Sequence, residues 1–112
     1  MNLGDIVIIS FPFSDLISAK ARPAVVVTQT PDFGDVVVCL ITSVIPSTLH
    51  PQQIPLTPNL INNLRTESVI KVYRIATVES NKVLAVIGKL NTLELSDFKH
   101  KFISLVDTNM ES

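Results

Sequence analysis

The residues of this chain best suited to chemistry are an arginine and a threonine placed where apolar runs meet polar segments. Arg22-Pro23 follows the segment 14–21, and Thr42-Ser43 closes the apolar run that begins at Asp35. A guanidinium is planar, charged at neutral pH and rich in donors, so it can hold two oxygens of one phosphate or carboxylate. A threonine hydroxyl can donate to a further oxygen of the same group. Proline biases Arg22 toward an extended backbone, which aims its side chain from the rim of whatever the next run forms. Each residue also has a plainer reading. Arg22 serves equally as a solvated surface charge, and Thr42 as a strand-end hydroxyl bonded to nearby backbone.

What is missing narrows the choice. Gly4, Gly34 and Gly88 are the only glycines, too few for a GxGxxG or GKS/T phosphate loop. There is no HExxH pattern, and His50 and His100 stand far apart, one in a proline-rich segment and one on a polar helical side. Both read as surface residues. Cys39 is the single cysteine, so neither an internal disulfide nor a multi-cysteine metal site can form. Lying in an apolar run, it reads as a small buried side chain. The acidic residues are scattered. No metal and no cofactor is expected.

The elements that must position Arg22 and Thr42 are strands. Apolar runs rich in β-branched residues occupy 5–13, 23–29, 35–42, 69–78 and 83–90, separated by turn signals such as Pro31-Asp32-Phe33-Gly34 and Glu79-Ser80-Asn81. A weaker strand is expected at 53–57, on an edge, because the segment 46–58 carries four of the seven prolines. A short helical turn is expected at 59–64. The connections are short, which favours antiparallel neighbours. Val25, Val26 and Val27 lack alternation, as do residues 36–41, so these strands must be covered on both faces. A sheet curled into a small barrel satisfies that demand. Leu95, Phe98, Phe102 and Leu105 form one stripe of a helix, with Asn91 or Thr92 at its start and Glu94 three residues after Asn91, as a capping box requires. The fold class expected is mainly β with a C-terminal helix.

The chain has 112 residues, enough for one domain and too few for two stable cores. At 46% hydrophobic and 17% charged it is no disordered chain, and its apolar excess is large enough to suggest a second subunit. A net charge of −1 gives no bulk attraction to nucleic acid or membrane, so any nucleic-acid contact must come from a local cationic cluster. No leader-like N-terminus or membrane-length apolar run is read, and a cytoplasmic location is expected.

A resemblance adds to this reading. Gly4-Asp5-Ile6-Val7, Arg22-Pro23-Ala24-Val25-Val26-Val27, Cys39-Leu40-Ile41-Thr42-Ser43, Glu67-Ser68-Val69-Ile70 with Arg74-Ile75, and Ile87-Gly88-Lys89-Leu90 occur in an order that resembles the MazF/PemK toxin family along nearly the whole chain. The resemblance implies a small SH3-like barrel, a homodimer, and a toxin neutralised by an acidic antitoxin, which alone would bring it to DNA. It implies metal-independent cleavage of single-stranded RNA, mRNA above all, by attack of the 2′-hydroxyl. The family's catalytic arginine and threonine fall on Arg22 and Thr42. RNA contacts are expected from Ser18, Lys20, Ser43 and Arg74. Two departures stand out: the first loop is short, with Ser18-Ala19-Lys20-Ala21 in it, and Arg74 replaces an amide. They favour a runner-up, a silent relative that binds RNA or an antitoxin peptide without cutting. A plain SH3-like recognition barrel is the third reading.

Overall fold

The computed structural model describes residues 1–12 and 19–107. Six strands and one helix follow in order: β1 (Asp5–Pro12), β2 (Ala19–Gln29), β3 (Val36–Thr42), β4 (Gln53–Leu56), β5 (Ser68–Val78), β6 (Val83–Lys89) and α1 (Thr92–Asp107). They form one sheet in the order β4-β5-β3-β2-β1-β6, with antiparallel neighbours throughout. Among the described residues the ladder does not close into a barrel and leaves β4 and β6 as edges, which remains consistent with the expected fold class.

Both faces of the central strands are buried, and this accounts for their lack of alternation. Ile6, Val25, Cys39, Ile70 and Phe98 belong to one apolar cluster, while Val7, Ala24, Val26, Val38 and Val78 belong to another. Successive residues of β2 therefore supply opposite cores, as the period of two requires. Helix α1 covers the first cluster. Phe98 is fully buried there, with Leu95, Phe102 and Leu105 packed alongside. Truncating such a phenylalanine to alanine typically costs about 3–5 kcal/mol. The helix starts on the capping box expected of it. The Glu94 N–H donates to Asn91 Oδ1 at 2.8 Å, and the Asn91 N–H donates to Glu94 Oε1 at 2.9 Å.

Two differences from the sequence reading, and one agreement with it, bear on the site. First, β2 begins at Ala19, so Arg22 lies inside a strand instead of opening one. Residues 19–23 pair with β1 alone, Ile9 opposite Arg22, and the ladder to β3 begins only at Ala24 opposite Leu40. Pro23 is tolerated because β2 is still an edge at that point. Pro55 likewise sits in edge strand β4. Second, the register of β3 on β5 jumps from Cys39–Ile75 to Ile41–Ile70, leaving residues 71–74 opposite Leu40 alone. This bulge bends β5 and re-aims its side chains. Third, as expected, a single helical turn occupies residues 59–64, and it goes no further. One turn is closed by the Asn63 N–H donating to the Asn59 carbonyl at 2.9 Å, and Asn63 then takes φ 54°. Asparagine side chains replace the next backbone bonds, so the turn does not propagate.

Candidate functional site

Where β2 begins and β3 ends, a cleft opens with two lobes. The larger, about 690 Å³, lies against Arg22, Ser43, Asn63, Arg65 and Thr66, over an apolar floor that includes Ile8, Pro23, Ile41 and Ile87. The smaller, about 300 Å³, lies against Arg22, Thr42, Ser43, Lys71 and Arg74. Arg22 and Ser43 therefore stand between the lobes. Among the described residues no carboxylate and no imidazole lines either lobe. The cleft is locally cationic in a chain whose net charge is −1.

Each position has a structural cause. Arg22 is exposed on the stretch of β2 that lacks a β3 partner. Thr42 is half-buried at the last position of β3, and its Oγ1 accepts the Val44 N–H at 3.1 Å. That is the backbone bond its plainer reading called for, and it does not compete with chemistry. With a lone pair committed to Val44, the hydroxyl hydrogen is left to point at another acceptor. Lys71 and Arg74 reach the smaller lobe from the two ends of the β5 bulge.

The outer wall of the larger lobe is a loop fastened at many points. Asn62 is fully buried: its Oδ1 accepts from Asn59 N and Leu64 N, each at 3.0 Å, and its Nδ2 donates to the Thr57 carbonyl at 2.9 Å. The loop is also tied to β6, since Asn63 Nδ2 donates to the Ile87 carbonyl at 2.6 Å and Lys89 N to the Ile61 carbonyl at 3.1 Å. Gly88 permits this approach, because a Cβ there would collide with the backbone oxygens of Ile61 and Asn62.

Of the residues singled out from sequence, Arg22, Thr42, Ser43 and Arg74 meet in this cleft. Lys20 is exposed on β2 two positions before Arg22 and lines neither lobe. Ser18 lies outside the described residues. Lys71, Arg65 and Asn63 were missed. The asparagines at 59, 62 and 63 were the available signal for a side-chain-bonded loop, although nothing local tied that loop to Arg22. His50 and His100 are exposed, and His50 Nδ1 accepts the Gln52 N–H at 3.0 Å. Cys39 is buried, donates to the Val72 carbonyl at 3.2 Å, and has its thiol pushed up to about 12 by desolvation. No group of three His, Cys, Asp or Glu residues that could hold a metal ion occurs among the described residues, and no helix there is long and apolar enough to cross a membrane.

An antiparallel six-stranded sheet with a C-terminal helix and a cationic cleft where β2 begins and β3 ends defines a class of small β domain. Residues 2–106 match the family described as PemK-like, MazF-like toxin of type II toxin-antitoxin system, and the chain belongs to that family. Solved structures of similar fold include MazF (Form-I) from Deinococcus radiodurans, 18% identical with a TM-score of 0.70 over 95% of this chain and 96% of that one. Another is the Mycobacterium tuberculosis toxin MazF-mt6, 20% identical with a TM-score of 0.67 over 90% and 96%. The MazE-MazF (Form-II) structure from Deinococcus radiodurans matches at 17% identity and a TM-score of 0.75 over 95% of each chain. No curated protein sequence matches the chain.

Proposed function

We propose that this toxin-family chain is a metal-independent endoribonuclease that cuts single-stranded RNA, mRNA above all, by attack of the 2′-hydroxyl on the adjoining phosphorus. The reading rests chiefly on one observation: the Arg22 guanidinium and the oriented Thr42 hydroxyl meet at one cationic cleft that also takes Lys71 and Arg74. In the reaction the 2′-hydroxyl gives up its proton to solvent as its oxygen bonds to phosphorus, and the bond to the 5′-oxygen breaks as that oxygen takes a proton from solvent. The products are a 2′,3′-cyclic phosphate and a 5′-hydroxyl. Arg22 stabilises the phosphorane oxygens as charge develops on them, and Thr42 donates to a non-bridging oxygen. Lys71 and Arg74 hold neighbouring phosphates.

The same cationic cleft suits the carboxylates of an acidic antitoxin, and one solved structure of similar fold is of MazE-MazF. The protein works as a homodimer in the cytoplasm on this reading. The test is incubation with a long unstructured RNA in excess chelator, followed by end-group analysis. Cyclic phosphate ends are expected, and a single 2′-deoxy substitution 5′ of the cut abolishes cutting. Cleavage of the deoxy substrate, or a requirement for magnesium, overturns the mechanism. The second reading, a module that binds RNA or antitoxin without cutting, is favoured by the lack of a carboxylate or imidazole base among the described lining residues.

A further inference from the structure

The larger lobe has features that phosphate binding does not use. Its floor of Ile8, Pro23, Ile41 and Ile87 is apolar, which suits the flat face of a base and does nothing for a phosphate. Its volume, about 690 Å³, falls in the range of small-ligand sites. Its wall is pre-built, since buried Asn62 and the ties to β6 hold the loop before anything binds. Arg65 on that wall is exposed and has neither hydrogen bond nor ion pair among the described residues. Arg22 lines this lobe as well as the smaller one, so whatever occupies it adjoins the phosphate that Arg22 holds.

We propose that the larger lobe is a guanine subsite, in which Arg65 reads the O6 and N7 edge of the nucleotide next to the scissile phosphate. The proposal deepens the ribonuclease reading and rests on it. A planar guanidinium matches two acceptors side by side, and on the Hoogsteen edge guanine alone presents that pair; cytosine has one at O2 and N3 on its pairing edge, with a smaller ring face to lay on the apolar floor. Adenine sets a donor beside N7, and the pyrimidines offer a single group on the Hoogsteen side. Unstacked bases of single-stranded RNA are free to turn this edge toward a side chain while their faces lie on an apolar surface. Asn63 has one Nδ2 hydrogen held by Ile87, which fixes it to the wall, and it lacks the charged two-point fork of a guanidinium, so the reading is given to Arg65.

The test uses the full chain, Arg65→Ala and Arg65→Lys. Arg65 is exposed, so these variants should keep the fold. Random-sequence RNA is cut and its ends sequenced. In parallel, binding is measured to uncleavable 2′-O-methyl pentanucleotides that contain guanine, contain 7-deazaguanine in its place, or lack both. The unaltered chain should prefer guanine at one position beside the cut, and in binding, by roughly tenfold or more, the discrimination that one two-point contact supplies. The 7-deaza base, which lacks N7, should bind more weakly. Arg65→Ala should bring the guanine preference close to one, and Arg65→Lys should leave it in between. Cutting without preference for an adjoining guanine overturns the subsite and leaves the ribonuclease reading standing. So does a uniform loss in Arg65→Ala that preserves the ratio, because Arg65 would then be a phosphate contact. No cutting, with guanine binding that depends on Arg65, overturns the ribonuclease reading and the placement beside a scissile phosphate, and supports only the guanine contact of Arg65. Neither cutting nor binding overturns both.

Discussion

At the scale of single residues, Arg22 and Thr42 differ in what they can lose. Arg22 provides charge and a fixed plane of donors, so Arg22→Ala should lower the cleavage rate by about 10²–10³, the scale for one preorganised stabilising donor. Arg22→Lys should recover only part of it, because an ammonium cannot reproduce the two-point contact. Initial rates on a defined RNA measure both, and wild-type cutting by Arg22→Ala would remove Arg22 from the mechanism. On the proposed mechanism Thr42 performs two tasks with one oxygen, accepting from Val44 N and donating to a phosphate oxygen. Thr42→Ser keeps both and should stay within severalfold of wild type. Thr42→Val keeps the shape, loses both the donor and the acceptor for Val44 N, and should fall by roughly 10². Equal rates for the two variants would show that cutting does not use the hydroxyl.

At the scale of elements, the contact between the loop and β6 is the most exposed to a single change. Gly88→Ala places a methyl against the Ile61 and Asn62 backbone, 2.7 Å from the Asn62 oxygen. Overpacking of this kind costs about 1–3 kcal/mol, to be read as a lower urea midpoint. Wild-type stability would mean that the loop gives way at little cost. The strands were legible in the sequence because β-branched runs ended at turn residues, and α1 because its stripe and capping box coincide at Asn91 and Glu94. Arg22, Thr42, Ser43 and Arg74 were legible as candidates through family blocks. Arg65, Lys71 and Asn63 were not. Lys71 reaches the cleft through a register jump, and Arg65 through a loop that folds back on β6. Neither event leaves a periodic trace. The start of β2 was misplaced because Pro23 reads as a strand opener until one sees that β2 has a single neighbour there.

At the scale of the whole molecule, apolar surface left on the edges bears on assembly. Leu84 and Val86 on β6 are 58% and 54% exposed, and Ile75 on β5 is 48% exposed. Exposed apolar residues on an unpaired strand invite a partner chain. Sedimentation at micromolar concentration should give a dimer, and a species of one chain mass, 12.3 kDa, across that range would refute it. The buried thiol makes stability depend on pH. Burial raises Cys39 from 9.0 to about 12, so the folded chain keeps the proton that the unfolded chain gives up first. The contribution is intact below pH 9 and is lost as pH rises toward 12. Urea midpoints should therefore fall across that window, and less steeply in Cys39→Ala; parallel curves would show that other groups carry the whole effect.

The loop that walls the larger lobe also shields the end of β6, where Lys89 N meets the Ile61 carbonyl. One loop thus both shapes the lobe and covers a strand edge, which limits how its fastenings can change. Asn62, Asn63 and Gly88 fasten the loop, and changing them strips the cover from a strand edge and favours aggregation. Arg65 and Thr66 face the lobe without being among those fastenings. New cut-site preferences should arise by drift at these two positions while the asparagines and the glycine stay put.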